Sequence, residues 1–460
     1  MSLLIVGLDA TIVNVALPAI HRSLHASLSG LQWIIAAYTL VLASLLMLGG
    51  STADRLGRKR IFQTGLIVFV IGSAGCAAAP SLGVLVAARA FQAVGGAMLN
   101  PVALSIVRNV FTDPRERAQA IGVWGAMIGI SFGLGPVLGG AFVDTIGWRY
   151  VFLVNVPVGL LACLLTALYI PESRAARARR VDPVGQVLVI TGLASLTYAI
   201  IEGQNDGWTS ATIIALFAVA LAAFSALIPY ELRRREPLVE VRFFRSVPFS
   251  GAAAIAVCVF GAFGGFLFLN TLYLQTVRGY SAFEAGLCTL PLAVMTMILP
   301  PFAGRYVARH GTRRPLLVAG VALLIAPLLL TRLTPDTPLW LILLSYIIFG
   351  LGFGLVNPPI TTTAISGMPA AQAGVAGAIA STSRQVGSTI GIALAGALAG
   401  ATATGRIDSS FAAATHAGWW LMVGFAAMVF IIGAVTTTGW AHGTARATAA
   451  RLADEGAINQ

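Results

Sequence analysis

The sequence predicts an all-α integral membrane protein with fourteen transmembrane helices, arranged as two pseudo-symmetric six-helix bundles plus two inserted helices. Composition, long apolar runs and an internal repeat support this fold. Hydrophobic residues make up 57% of the 460 residues and charged residues 10%, whereas a soluble domain carries roughly a quarter charged residues. We therefore expect most of the protein surface to face lipid.

A bilayer core takes about 20 apolar residues as a helix, and the sequence contains fourteen such runs. The first run continues into Asp9, which predicts a retained span rather than a cleaved signal peptide. Only eight residues precede Asp9, as expected if translation starts upstream of Met1. The predicted spans are 3–21, 31–51, 61–79, 83–106, 118–142, 150–170, 184–203, 210–229, 249–272, 284–304, 315–333, 339–360, 374–400 and 416–437.

Positive charge predicts the orientation of these spans. Of the 29 Lys and Arg residues, 22 fall beside the even-numbered span ends or in the C-terminal tail, 5 fall on the other side, and Arg89 and Arg384 lie within spans. The positive-inside rule then puts both termini of this cell-membrane protein in the cytoplasm. A net charge of +12 could indicate a nucleic-acid-binding protein. The basic residues, however, lie in short Arg clusters between apolar runs, which is typical of membrane proteins. We predict no nucleic-acid partner.

Metal sites, cofactors and catalysis are not predicted. The four cysteines lie in or beside apolar segments without a C-x-x-C pair, and the five histidines have no metal-ligand spacing. The sequence contains no Walker loop and no catalytic set of residues. We therefore expect neither an enzyme nor an ATP-driven pump.

Two segments of the sequence repeat. Residues 50–60 match residues 304–314 in their glycines and most basic positions, 254 residues apart. Residues 95–101 match residues 352–358, 257 residues apart. Spans one to six and nine to fourteen are therefore predicted to be two copies of one unit. Such repeats are typical of transporters that rock one half against the other.

Asp9 and Arg89 are the two charged residues that most directly indicate proton transfer within the bilayer. Asp9 lies about twelve residues from the outer end of span one, near mid-depth, unless span one begins there and Asp9 is at the cytoplasmic interface. Arg89 either faces the bundle interior, with Gln92 on the same helix face, or snorkels to the outer interface. A carboxylate that loses and regains an arginine partner can carry a proton.

The loop after span two, residues 50–60, contains another motif. Its glycines allow a tight turn, and Asp54 can pair with Arg58 or cap a neighbouring helix. A solvated cluster of positive charge is the alternative. The second copy has Ala308 in place of Asp54, so we expect the two loops to act differently. The first loop's motif residues are Gly50, Asp54, Arg55, Gly57, Arg58 and Lys59.

Span five is rich in small residues around one proline. Glycines at four-residue spacing let helices pack backbone to backbone, and Pro136 removes one backbone hydrogen bond. Ser131 interrupts the series with another small residue. The final residues of this motif are Gly135, Pro136, Gly139 and Gly140.

Together these motifs resemble the major facilitator superfamily and, within it, the fourteen-span drug:proton antiporters of the multidrug efflux type. The resemblance runs from about residue 3 to residue 437. It implies a proton-coupled exporter of amphipathic organic compounds, or alternatively a dedicated exporter of one metabolite, antibiotic or lipid. It also implies two bundles, at 1–170 and 248–437, separated by linkers and inserted spans at 171–247 and followed by a cytoplasmic tail at 438–460.

The resemblance also assigns roles to residues. It implies proton coupling at Asp9 and Arg89, a conformational latch in the loop of residues 50–60 and an antiporter signature at residues 135–140. Small amphipathic substrates and membrane lipid are the expected partners; the only coupling ion is the proton, and a monomer is expected to suffice. The substrate-cavity candidates are Asn14, Tyr38, Phe91, Gln92, Asn100, Trp124, Phe268, Asn270, Asn357, Arg384 and Gln385.

Acidic residues near the outer span ends are expected to stay outside the cavity. Glu284 begins span ten from the outside and is predicted to be interfacial rather than substrate-binding. Asp144 and Glu202 are predicted to be solvated. For Arg384, two roles remain open: contact with substrate, or hydrogen bonding to backbone carbonyls of the C-terminal half.

Overall fold

The structure, a computed structural model, describes residues 1–111, 113–175, 181–234, 236–366, 373–402 and 411–458, apart from a number of side chains between residues 114 and 128 and those of residues 373, 402 and 453–458. The described residues form α-helices with short connections, without a β-strand among them. The predicted all-α class is therefore confirmed for this part of the chain.

The first half of the fold contains seven helices, of which α6 and α7 form one interrupted rod. They are α1 Ser2–Leu24, α2 Leu28–Leu56, α3 Arg58–Ala78, α4 Leu82–Val110, α5 Pro114–Thr145, α6 Tyr150–Leu153 and α7 Asn155–Tyr169. Two further helices follow, α8 Pro183–Glu202 and α9 Ala211–Arg233.

The second half of the fold repeats this order after a 3-10 turn at Val241–Arg245. Its helices are α10 Val247–Leu272, α11 Ala282–Cys288, α12 Leu290–His310, α13 Arg313–Leu328, α14 Leu339–Ile365, α15 Ala373–Thr402, α16 Phe411–Ala414 and α17 His416–Thr436, and the polar helix α18 Gly439–Ile458 ends the chain. A π turn at Tyr273–Val277 extends α10.

Eleven helical stretches of the described residues are long and apolar enough to cross a membrane. The predicted spans 118–142, 315–333 and 374–400 fall on α5, α13 and α15, which are helical but are not among these eleven. The outward faces are apolar as well: Leu168 is 66% and Leu221 is 70% exposed. Exposed apolar surfaces of this kind are unfavourable in water and favourable in contact with lipid.

Several helices have a serine as their N-cap residue. A serine oxygen accepts a hydrogen bond from a backbone N–H in the first turn, which satisfies a donor that has no partner within the helix. These caps help to explain why the helices begin where they do, close to the predicted boundaries. The capping serines are Ser27, Ser81, Ser210, Ser246 and Ser281.

Helix packing repeats between the two halves of the fold. In the first half, α1 packs on α5, α2 on α4, and α3 on both α4 and α7. In the second half, α10 packs on α15, α12 on α14, and α13 on both α14 and α17. The repeat detected in two sequence segments therefore extends to the tertiary packing of both halves.

The two halves meet along α2 and α15. The Gln32 amide donates to the carbonyls of Ile392 and Ala393 at 3.1 and 2.8 Å, and Thr389 donates to Thr39 at 2.8 Å. The inserted helix α8 packs beside this seam, where Gln186 donates to the Ser44 carbonyl at 2.6 Å. The inserted pair α8–α9 therefore lies outside the two bundles and contacts both of them.

The C-terminal tail forms the helix α18, which packs against the rest of the protein. Within α18, Ala441 and Ala445 are buried, and Thr444 Oγ1 accepts a hydrogen bond from the backbone N–H of Val247 at 3.0 Å. The tail thus caps the start of α10. The sequence predicts a tail at residues 438–460 but does not predict this contact.

Close packing of α3 against α4 depends on Gly95. A Cβ there would lie 2.5 Å from the Gly65 carbonyl oxygen and from the Phe69 nitrogen, both backbone atoms that cannot rotate away. We expect Gly95→Ala to destabilise the protein by about 1–3 kcal/mol through overpacking. The apparent melting temperature of the purified protein in detergent should fall.

Gly83→Ala is the matched control, since Gly83 lies in the same helix and a Cβ added there would have no neighbouring atom within 4 Å. Alanine is the better helix former by about 0.5–1 kcal/mol, so this variant should melt no lower than the wild type. Equal melting temperatures for the two variants would contradict the packing argument.

Candidate functional site

An ion pair between Asp9 and Arg89 lies in the interior of the first half. Arg89 Nη1 is 2.5 Å from Asp9 Oδ2, and the two side chains are 1% and 0% exposed. Arg89 also donates from Nε to the Ile34 carbonyl at 3.1 Å and from Nη1 to Gln92 Oε1 at 2.6 Å. Buried charges persist in proteins only when such partners compensate their lost hydration.

Asp9 has two further hydrogen-bond donors. Its Oδ1 accepts from Gln92 Nε2 at 2.9 Å and from Asn155 Nδ2 at 3.0 Å. Gln92 in turn donates to Ser73 Oγ at 2.7 Å. Four helices, α1, α3, α4 and α7, therefore meet at one carboxylate.

Aromatic rings cover the guanidinium group. The Arg89 carbon Cζ lies 4.1 Å from the Tyr38 ring centroid and 5.7 Å from that of Phe152. Cation–π contacts of this kind are strongest where water is excluded. We call this set the charge cluster: Asp9, Tyr38, Ser73, Arg89, Gln92, Phe152 and Asn155.

The structure decides several alternatives that the sequence left open. Asp9 lies in the protein interior rather than at an interface, and Arg89 does not snorkel to the surface. Tyr38 and Gln92 were expected to line the substrate cavity, but the structure places both away from any open surface. They are buried in the charge cluster, because a buried ion pair requires polar and aromatic partners around it.

Sequence reasoning missed Asn155 and Ser73. Both are polar residues within otherwise apolar runs, and both are fully buried. A polar side chain in such a position must find a partner. That rule would have identified them as members of a polar cluster but not which cluster they join.

The loop of residues 50–60 forms the predicted ion pair. Arg58 Nη2 lies 2.8 Å from Asp54 Oδ1, and Arg58 Nε donates to the same oxygen at 3.0 Å. Asp54 therefore pairs with Arg58 rather than capping a helix. We call the side of the bundle that carries this loop the basic side, and the other the opposite side.

Glu172, which no sequence motif singled out, clamps this loop. Its carboxylate accepts from the backbone N–H groups of Lys59 and Arg60 at 3.1 and 3.3 Å, at the start of α3. Backbone bonds from Arg58 to Ser173 and from Ala175 to Asp54 tie the same segment down. Negative charge is favoured at a helix N-terminus, so the chain after α7 locks the loop before α3.

Other loop residues serve the same contacts. Lys59 donates from Nζ to the Ala167 carbonyl at 2.8 Å, Gly50 packs on Pro101, and Arg55 is exposed. The second copy of the loop has no such pair among its described residues: Ala308 replaces the acid, and Arg314 donates to Tyr306 at 3.2 Å instead.

The small residues of α5 pack the first half against the second. A Cβ at Gly139 would lie 2.6 Å from Ile12 of α1, and one at Gly135 would overlap Thr11. On the other face, a Cβ at Gly140 would overlap the carbonyl oxygen of Ala282, and the Pro136 carbonyl touches Gly286 of α11. The Gly-Pro motif therefore lies between the helix of Asp9 and the second half.

Asp144 and Glu284 reinforce this contact on the opposite side. Asp144 accepts from the backbone N–H groups of Ala282 and Phe283 at 3.1 and 2.8 Å. Asp144 was expected to be merely solvated, but it caps α11 across the two halves. Glu284 forms a capping box with Ser281 at the start of α11, and its interfacial position stays a prediction. Glu202 is not merely solvated either, since it accepts from Trp33 Nε1 at 2.7 Å.

Asparagines among the cavity candidates share one geometry. Asn14, Asn270 and Asn357 each donate Nδ2 to the carbonyl four residues earlier, at 2.9 Å. The Oδ1 atoms of Asn14, Asn100 and Asn270 are buried without a partner among the described residues. Such oxygens are free to accept hydrogen bonds from a ligand or water.

The remaining cavity candidates differ from one another. Phe91 is 46% exposed on the same stripe of α4 as Val84, and Phe268 is fully buried in the core. Arg384 and Gln385 are partly exposed on α15. Trp124 lies on α5, but its side chain falls outside the part that the structure describes.

Comparison with known proteins gives consistent matches. The model of the Major Facilitator Superfamily matches residues 1–392. The chain is 39% identical to "Multidrug resistance protein Stp" of Mycobacterium tuberculosis over 89% of its own length and 76% of that protein. It is 36% identical to "Methylenomycin A resistance protein" of Streptomyces coelicolor, over 85% and 82% of the two chains.

A solved structure shares the fold. The bacterial homolog of the human lysosomal transporter Spinster, in an inward-facing and unoccupied conformation, aligns with a TM-score of 0.66 and 19% identity. The alignment covers 98% of this chain and 96% of that one.

The Glu172 clamp predicts a difference between two equivalent glycines. Gly57 and Gly311 both have positive φ, at +119° and +81°, so alanine is strained at either position. Only at Gly57 would a Cβ also meet a neighbour, the Glu172 carboxylate at 2.7 Å. We expect Gly57→Ala to slow transport about tenfold more than Gly311→Ala, because the Glu172 carboxylate would have to move and give up its hydrogen bonds to the backbone N–H groups of Lys59 and Arg60. Hydrogen bonds to a charged group are worth about 1.5–3 kcal/mol.

Initial transport rates in proteoliposomes would measure this difference. Adding Glu172→Ala to Gly57→Ala should slow transport no further, because the first substitution already displaces the clamp. If Gly57→Ala and Gly311→Ala are equally slow, backbone strain alone explains both and the clamp has no role.

Proposed function

The chain belongs to the Major Facilitator Superfamily, and from that premise we propose that it is a proton-coupled secondary transporter that exports amphipathic organic compounds by alternating access. The names of its relatives, which describe multidrug and antibiotic resistance, support export. The observation that carries the proposal is the fully buried Asp9–Arg89 pair. A structural role alone would be served as well by apolar packing.

Proton coupling follows from the partners of Asp9. Arg89, Gln92 and Asn155 all donate to the carboxylate, so a negative charge on it is compensated in this arrangement. If helix rearrangement draws Arg89 away, the uncompensated charge in a low-dielectric interior favours uptake of a proton. Asp9 would then release the proton when the ion pair forms again.

The signature of α5 connects this event to the rest of the molecule. Residues 135–140 pack on α1 beside Asp9 and on α11 of the second half. A shift of α1 would therefore change the packing of α5 against α11, where the two halves meet. Packed interfaces of this kind switch between discrete arrangements rather than deforming continuously.

The contacts between the halves indicate which side is open. On the opposite side, Gln32 bonds to α15 and Asp144 caps α11. We propose that this is the external side, closed in the present state, and that the space between the halves opens on the basic side, which is cytoplasmic. The Asp9–Arg89 pair is then intact when substrate enters from the cytoplasm or inner leaflet.

We extend the proposal to the complete architecture. The eleven candidate spans together with α5, α13 and α15 make fourteen, with both termini cytoplasmic. The bundles at 1–170 and 248–437 would rock about the substrate site, with residues 171–247 between them and 438–460 as the tail. The exposed apolar faces would contact lipid in the cell membrane, and one chain would suffice without enzymatic activity or any cofactor beyond the proton.

A dedicated exporter is the second candidate. It has one observation in its favour, the relative named for resistance to the single antibiotic methylenomycin A. Such an exporter would have the same coupling cluster but transport a narrow set of compounds. A panel of structurally unrelated substrates would separate the two functions.

The coupling proposal predicts the effect of Asp9→Asn. In liposomes with an imposed proton gradient, the wild type should move the lipophilic cation ethidium, followed by its fluorescence. Asp9→Asn should abolish gradient-driven movement, because an amide cannot exchange the proton. Asp206→Asn, which makes the same chemical change on an exposed loop, should leave the movement intact.

Persistence of gradient-driven movement in Asp9→Asn would move coupling away from the charge cluster. Glu284, the next acid suggested by the sequence, is held in its capping box and is a poor substitute. Absence of ethidium movement by the wild type would instead favour a neutral, anionic or dedicated substrate.

The fourteen-span topology can be tested by labelling. In a cysteine-free background, single cysteines in place of Arg60 and Asp206 should react oppositely with a membrane-impermeant maleimide applied to intact cells. Asp206→Cys is expected to react and Arg60→Cys only after permeabilisation. The reverse result would invert the proposed orientation.

A further inference from the structure

Arg384 is a second arginine in the middle of the bundle, and its surroundings differ from those of Arg89. It lies eleven residues after Ala373, the first residue of α15, which corresponds to about 17 Å along the helix. Its Nη2 donates to Thr361 Oγ1 at 2.8 Å, and its Cζ lies 5.7 Å from the Phe260 ring centroid. These contacts are with a hydroxyl and a ring, neither of which carries negative charge.

No described carboxylate lies within 4.0 Å of the Arg384 guanidinium. Its Nε is buried and has no hydrogen-bond partner among the described residues. The expected role of bonding to backbone carbonyls is therefore not observed. Asp9 is already paired with Arg89, and the other buried acids, Asp182 and Glu231, lie at the ends of α8 and α9. Within the described part of the chain, Arg384 is thus a positive charge in the interior without an acidic partner.

Aromatic rings connect Arg384 with both halves of the fold. Phe260 lies 5.2 Å from Phe353, which stacks on Phe263 at 4.4 Å, and Phe263 stacks on Phe132 of α5 at 5.1 Å. Phe132 belongs to the first half and the others to the second. Phe263 and Phe353 are buried, whereas Phe260 and Phe132 are partly exposed. An apolar ligand body that packed on Phe260 and Phe132 would therefore touch both halves while a charged group on it reached Arg384.

The site is accessible rather than sealed. Arg384 is partly exposed and Thr361 is exposed, unlike Arg89 with its 1% exposure. Asn357, one turn before Thr361, is also partly exposed. A guanidinium with a free N–H, a hydroxyl and an amide beside a surface of phenyl rings suits a ligand with an anionic head and an aromatic or otherwise apolar body.

We propose that Arg384 is the substrate-recognition residue for amphipathic organic anions, such as carboxylates or sulfonates, whose apolar body packs on Phe260 and its neighbouring rings. This deepens the proposed export function and rests on it for the direction of transport. The assignment places proton chemistry on the first half, at Asp9, and charge recognition on the second, at Arg384. It also explains why a cationic residue is placed here without an acidic partner among the described residues.

A matched pair of probes tests this assignment. Radiolabelled 2-naphthalenesulfonate is ionised at all working pH values, and 2-naphthalenesulfonamide is its neutral counterpart of nearly the same shape. Binding to the purified full chain would be measured in nanodiscs of phosphatidylcholine. We expect the wild type to prefer the sulfonate, and Arg384→Gln to lower the sulfonate-to-sulfonamide affinity ratio at least about tenfold, since charge-assisted bonds are the strong ones.

Two variants control for folding and for general charge. Arg384→Lys keeps the positive charge and should retain a preference for the sulfonate. Arg305→Gln removes an exposed arginine that also lies over a ring, Phe302 at 6.0 Å, and should leave the ratio at its wild-type value. A ratio that is the same in the wild type and in Arg384→Gln would overturn the assignment, as would a wild type without preference for the sulfonate.

The headgroup of an anionic lipid has the same chemistry as the proposed ligand. If phosphatidylglycerol in the nanodisc displaces the sulfonate as completely as unlabelled sulfonate does, the site belongs to lipid and the substrate assignment fails. The two proposals fail separately. Gradient-driven ethidium movement without a sulfonate preference would overturn only this inference. Arg384-dependent sulfonate binding without gradient-driven movement of either ethidium or the labelled sulfonate would overturn only the proposed export function.

Discussion

The interaction on which the rest of this structure depends is the buried ion pair between Asp9 and Arg89. Removing two charges from water is expensive, and their attraction repays that cost only with good geometry and further hydrogen bonds. The protein supplies these from Gln92, Asn155 and the Ile34 carbonyl, and it covers the guanidinium with Tyr38. Helices from most of the first half must therefore converge on one point.

Convergence of helices requires small residues at the crossings. Gly72 packs on the backbone of Gln92, and Gly95 packs on that of Phe69, so α3 and α4 approach closely around the charge cluster. On α5, the Gly-Pro signature brings the helix of Asp9 against α11. The Gly-Pro motif is, in physical terms, the place where backbone contact links the helix of Asp9 to the second half.

The two copies of the repeat have diverged in chemistry while keeping their packing. At the spacing that relates Asn100 to Asn357, Arg89 corresponds to Tyr346 and Gln92 to Phe349. Both of these are fully buried, and Phe349 stacks on Phe266 at 4.2 Å. The position that holds charge in the first half is thus filled by an aromatic core in the second. Under the proposed function, one half would respond to a proton while the other would offer Arg384 to a ligand.

The sequence by itself determined the class of protein, the approximate spans, the repeat and the importance of Asp9, Arg89 and the loop of residues 50–60. These features follow from local composition and spacing, since a charge in an apolar run must be satisfied wherever the helix lies. Only the tertiary structure decided which residues are partners. Tyr38 and Gln92 join the charge cluster, Glu172 clamps the loop of residues 50–60, and Asp144 caps α11. Each of these contacts joins residues far apart in sequence or depends on helix rotation, and hydrophobic periodicity is weak in helices that are apolar on nearly all faces.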